Sequence, residues 1–92
     1  MSKSMSASVM NIQVLLFAQL RDAFGCSQLI LELPADSTVA DAIDLLAARH
    51  APIAALQNAR ALAFAVNEQY ASSATPLTAG CTLALIPPVS GG

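Results

Sequence analysis

The chain has 92 residues, 55% of them hydrophobic and only 11% charged, and a formal net charge of −2. That length holds one domain, and its core must be dense, because so short a chain buries only a little over ~60% of its unfolded surface. The basic side chains are Lys3 and the scattered Arg21, Arg49 and Arg60. They exclude a phosphate-neutralising nucleic-acid surface, while the thin charge cover leaves apolar residues exposed for a partner.

Residues 1–9, MSKSMSASV, are Ser-rich and lack the apolar stretch of a signal peptide. They are expected to be a disordered arm before a domain spanning 10–88, with 89–92 as a flexible tail. Asn11–Ala18 (NIQVLLFA) is a nearly continuous apolar run of strand length, as in a central strand covered on one face. Asp22-Ala23-Phe24-Gly25 breaks it, with Gly25 free to take positive φ. Gln28–Leu33 follows and stops at Pro34, so the chain opens on two strands with a short link, a hairpin pattern.

Thr38 then reads as a helix N-cap, with Asp41 three residues on as its capping-box partner. Val39, Ile43, Leu46 and Ala47 or His50 form an apolar stripe, Asp44 and Arg49 lie on its flanks, and Pro52 ends the pattern. Ile53–Ala59 is suited to a second short helical turn. Leu62–Val66 is the next strand, Asn67-Glu68-Gln69 a turn, and Tyr70-Ala71 a brief edge strand. Pro76–Gly80 forms a tight turn, and Thr82–Ile86 the last strand. The order β-β-α-β-(β)-β describes an α+β roll with one main helix over a sheet of four to five strands.

Cys26 and Cys81 are far apart, with no CxxC, and read as reduced thiols of a cytoplasmic protein. With His50 as the lone histidine, the residues cannot fill a tetrahedral metal site, so no metal is expected. His50 itself is expected partly buried at the helix end. No apolar run approaches the ~20 residues of a membrane span, so no membrane is expected as a partner.

After Ile86 the chain reads Pro87-Pro88-Val89-Ser90-Gly91-Gly92. The prolines hold an extended exit, and from Pro88 to Gly92 the tail reaches roughly 13 Å at 3.3–3.6 Å per residue. Glycines lack a Cβ and pass channels too narrow for other residues. A terminal carboxylate has a pKa near ~3.5, so it is ionised and a poor electrophile until activated, for instance as an acyl-adenylate. The sequence has no GxxxxGK[ST] loop to hold a nucleotide, so activation must come from another protein. A sulfur nucleophile would then give a thiocarboxylate, and a lysine would give an isopeptide.

The segment Val14–Asp22 (VLLFAQLRD) resembles the opening signature of the small subunits of molybdopterin synthase. Ala65-Val66-Asn67, Pro76-Leu77-Thr78-x-Gly80 and the terminal Pro87–Gly92 are similar to three further motifs of that family. The resemblance covers nearly all of 11–92 and implies a β-grasp, ubiquitin-like fold and a sulfur-carrier role in molybdenum cofactor synthesis. It implies no stably bound cofactor. Gly92 would be adenylated by an ATP-dependent adenylyltransferase and become a thiocarboxylate, with Gly91 and Ser90 allowing the tail to insert into a partner. That partner would be the large catalytic subunit of molybdopterin synthase, in a heterotetramer. The same resemblance places Phe17, Arg21, Tyr70, Ile86, Pro87, Pro88 and Val89 at the partner interface. From the residues alone, Phe17 and Ile86 fit the core equally well, Arg21 fits a solvated edge and Tyr70 a half-exposed strand position. Cys81-Thr82 depart from the family's usual acidic residues after Gly80. A carrier for thiamine or tRNA thiolation, a ubiquitin-like modifier, and a non-covalent binding module whose Gly-Gly is incidental are the alternatives.

Overall fold

The computed structural model describes residues 9–88. Residues 1–8 of the expected arm (1–9) and the expected tail (89–92, Val89, Ser90, Gly91 and Gly92) lie outside the described residues. The elements are β1 (Val9–Leu16), α1 (Ala18–Phe24), β2 (Gln28–Pro34), α2 (Val39–Arg49), α3 (Ala51–Asn58), β3 (Ala63–Val66), β4 (Gln69–Ala71) and β5 (Thr82–Ile86). They build one mixed sheet in the order β2-β1-β5-β3-β4. β1 and β5 run parallel at its centre, and the other neighbours are antiparallel. This is the expected α+β roll, a five-stranded sheet with helices on one face.

The sheet separates its two faces by the two-residue period of its strands. On β1, Met10, Ile12, Val14 and Leu16 are buried, and Leu31, Leu33, Leu83 and Leu85 of the flanking strands join them. Against this layer pack Leu20 of α1, Val39, Ala42, Ile43 and Leu46 of α2, and Ile53 of α3. Phe64 and Val66 of β3 close the same layer at its edge.

Three corrections follow. The link between the first two strands is the helix α1, not a simple break. β1 ends at Leu16, and Phe17, in extended backbone, is the N-cap of that helix. Leu20, at 0% exposure, is what holds α1 down, and Gly25 at φ 75° ends it by donating its N–H to the Arg21 carbonyl at 2.9 Å. Second, α2 is the expected main helix, and the expected short turn over 53–59 is a full helix, α3, that starts two residues earlier, at Ala51. α3 runs two turns, and Pro52 starts it rather than merely stopping α2, as a first-turn proline that has no N–H to lose. Third, β1 begins at Val9, inside the stretch read as the arm.

The start of α2 is as read. Asp41 donates its N–H to Thr38 Oγ1 at 3.4 Å, and the Thr38 N–H donates to Asp41 Oδ2 at 2.9 Å. The preceding orphan donors are met from another part of the chain: the N–H groups of Val39 and Ala40 donate to the carbonyls of Thr75 and Ser73, each at 2.9 Å. The loop between β4 and β5 is thereby tied to the helix layer. His50 caps the end of α2, half-buried, with its ring 4.1 Å from that of Phe24. Cys26 is exposed, Cys81 is buried, and the two are not bonded to each other.

Candidate functional site: the open face of the sheet

The odd-numbered residues of β1 point away from the helices. Strand register extends that face across the sheet: Leu15 lies opposite Ala84, Ala84 opposite Ala65, and Ala65 opposite Tyr70. In the next row, Ile86 lies opposite Ala63, with Phe17 following the end of β1. Large side chains stand at either side of a floor made of alanines, so the face is concave. The resulting groove of about 600 Å³ is lined by Gln13, Leu15, Phe17, Ala65, Asn67, Glu68, Thr82, Ala84 and Ile86.

Each wall has a local cause. Phe17 is held outward because it is the extended N-cap between β1 and α1, and it remains 45% exposed. The opposite wall is the turn from β3 to β4, where Asn67 (φ 50°) and Glu68 (φ 71°) both take left-handed conformations. Two successive positive φ values are those of a type I′ hairpin turn, whose twist matches the strands. Asn67 also grips β5: its N–H donates to the Thr82 carbonyl at 2.9 Å, and its Oδ1 accepts from the Thr82 N–H at 3.0 Å. The turn cannot swing independently of the strand that leads into Pro87.

The structure places Phe17 and Ile86 together on the groove, so neither belongs to the buried core. Tyr70 stands on the same face beyond the groove, 85% exposed. Arg21 is exposed on α1 and does not line the groove. Pro87 is buried where the chain leaves β5, and Pro88 is exposed. Sequence reasoning missed Leu15, Ala65 and Ala84 as lining residues; the signal was the alternation of β1 and β5, which the unbroken apolar runs obscured. The groove holds a single charged side chain, Glu68, and no thiol or imidazole. Among the described residues, no cluster of three or more His, Cys, Asp or Glu is placed to hold a metal ion. Chemically the face offers apolar contact and backbone-anchored polar groups, which suit docking of a protein surface.

The ThiS family model matches residues 14–92, from the middle of β1 to the last glycine. The chain belongs to the ThiS family. It is 33% identical to the molybdopterin synthase sulfur carrier subunit of Arabidopsis thaliana, with 98% of this chain and 92% of the relative covered. It is 36% identical to the protein of the same name from Drosophila erecta, over 91% of this chain and 93% of that one. Among solved structures it is similar to SAMP1 of Haloferax volcanii, with a TM-score of 0.73 and 31% identity over 89% of this chain and 99% of that one. The ubiquitin-like β-grasp fold is shared across this ThiS family member and these neighbours. No described helix is long and apolar enough to cross a membrane.

Proposed function

We propose that this ThiS family chain is the sulfur-carrier subunit of a molybdopterin synthase. The observation that carries the reading is the near-full-length similarity to two proteins of that name. The carboxylate of Gly92 attacks the α-phosphate of ATP on a separate adenylyltransferase, releasing pyrophosphate and leaving a glycyl adenylate. A sulfur nucleophile then displaces AMP, and the thiocarboxylate that results donates its sulfur to cyclic pyranopterin monophosphate. The chain supplies no catalytic side chain of its own to these steps. It presents the tail and grips the large catalytic subunit, in a heterotetramer, through Phe17, Tyr70, Ile86 and the proline exit. The Phe17–Ile86 groove beside the end of β5 supports this, because a partner docked there also meets the departing chain.

The test is an intact mass of the chain after incubation with ATP, the adenylyltransferase and a sulfur donor. A mass increment equal to exchange of one oxygen for sulfur is expected, and it disappears when Gly92 is deleted. An unmodified chain under the same conditions would sink the proposal. A second reading, a ubiquitin-like modifier, draws on the similarity to SAMP1, a small archaeal modifier protein. It predicts adducts of higher mass that survive boiling and reductant, whereas the carrier reading predicts none.

A further inference from the structure

β2 is an edge of the sheet, seven residues long, and among the described residues nothing pairs with its outer side. The opposite edge, β4, is only three residues long. Long edge strands are normally blunted by charged side chains, lysine above all, by bulges or by interior prolines. Along Gln28–Leu33 β2 carries a single charge, Glu32, and no lysine, bulge or proline: its register with β1 is unbroken, and Pro34 stands only at its end.

The ladder phase shows which groups face outward. The Leu16 N–H donates to the Ser27 carbonyl at 2.8 Å, so Leu16 and Ser27 are a hydrogen-bonded pair of the antiparallel ladder. By alternation Leu29, Leu31 and Leu33 also bond to β1, leaving the N–H and C=O groups of Gln28, Ile30 and Glu32 pointing away from the sheet. Pro34 has no N–H, and its carbonyl already accepts from Ser37 Oγ at 2.6 Å. The available edge is therefore Gln28, Ile30 and Glu32, centred on Ile30.

That edge is complementary to itself. We infer that β2 pairs antiparallel with β2 of a second copy of the chain, about a two-fold axis through Ile30. Ile30 then meets Ile30 of the second copy, covering a side chain that is 66% exposed in the monomer. Gln28 meets Glu32 of the second copy on each side of the axis. Gln28 Oε1 already accepts from Gln13 Nε2 at 2.6 Å, which leaves its amide protons to donate to the facing carboxylate. The two Glu32 side chains stay roughly 14 Å apart, four residues along the strand, where repulsion is largely screened. The three outward residues exchange roughly six backbone hydrogen bonds across the axis. The result is a ten-stranded sheet with both grooves on one side, and β1 lies between the new seam and β5. The tail exits stay clear of the seam.

Sedimentation of the full chain over a concentration series tests this. A reversible dimer is expected, with association weakened ~10-fold or more in Ile30→Lys, which sets like charges against each other on the axis. Gln28→Lys, facing Glu32, strengthens association a few-fold, by roughly 2- to 5-fold. Both positions are exposed, so circular dichroism of each variant matches the parent. In a Cys26→Ser background, Ile30→Cys forms a disulfide-linked dimer under mild oxidation, while Val9→Cys, exposed elsewhere on the sheet, does not. A chain that is monomeric throughout the series overturns the inference. So does a dimer that Ile30→Lys leaves unchanged, or an edge that pairs only with an extended segment of another protein.

Discussion

The two faces of the sheet are made from the same strands and yet have opposite characters. On the covered face, Ile12, Val14, Leu83 and Leu85 are at most 1% exposed, and each loses packing if a methyl group is removed. On the open face the neighbouring positions Gln13, Leu15, Ala84 and Ile86 are all half-buried, held at a depth where they are neither core nor freely solvated. The difference shows that one alternation can encode stability and recognition in alternate residues of a single strand. A substitution should then affect one property or the other according to its parity.

The largest separation is expected from Leu83→Ala. It opens a cavity under the helices and costs about 2–5 kcal/mol in denaturant unfolding, while the protein that remains folded binds its partner normally. On the neighbouring face, Phe17→Ala reverses that pattern. Binding to the proposed large subunit, read by calorimetry, weakens by about 2 kcal/mol, roughly 30-fold, with stability changed by less than ~1 kcal/mol. If Phe17→Ala instead unfolds the chain, the division between the faces fails at that position.

Two smaller changes sharpen the comparison at the rims. Thr38→Ala removes the side-chain half of the capping box and costs about 1 kcal/mol by thermal or denaturant unfolding, without altering partner affinity. Glu68→Gly relieves a left-handed residue in the β3–β4 turn, a strain of roughly 1–2 kcal/mol, offset in part by roughly 0.5–1 kcal/mol of added chain entropy, and so stabilises the fold by up to about 1 kcal/mol. Glu68 is also the groove's only charge, so the same variant reports separately, by the salt dependence of binding, whether the partner surface facing it is basic.

The elements legible in the sequence were those with a local cause. The Thr38/Asp41 pair marks the start of α2, Gly25 marks a left-handed position, and the short run Thr82–Ile86, set between the Pro76–Gly80 turn and Pro87, marks β5 to the residue. α1 was hidden because it is only seven residues long and its first residue, Ala18, prolongs the apolar run of β1, while Leu20 is buried through tertiary contact rather than any helix signature. The open face was half legible. Phe17 and Ile86 came from resemblance to a family, but the alanine floor between them did not, since alanine is small enough to suit either face. The groove exists only when register brings Leu15, Ala84 and Ala65 into one row, and register is not written in any one segment.

The position of β5 has a consequence for how the protein is made. Gln13 finds its partner at Thr82, across most of the chain, and β5 is inserted between the β1–β2 and β3–β4 pairs. A nascent chain that has not yet released Thr82–Ile86 from the ribosome holds two separate strand pairs with nothing to join them. Such distant pairing delays folding until synthesis has passed the last strand. The groove, which needs β5 as part of its floor, therefore forms only once the last strand has joined the sheet. A partner that reads the groove meets a completed sheet.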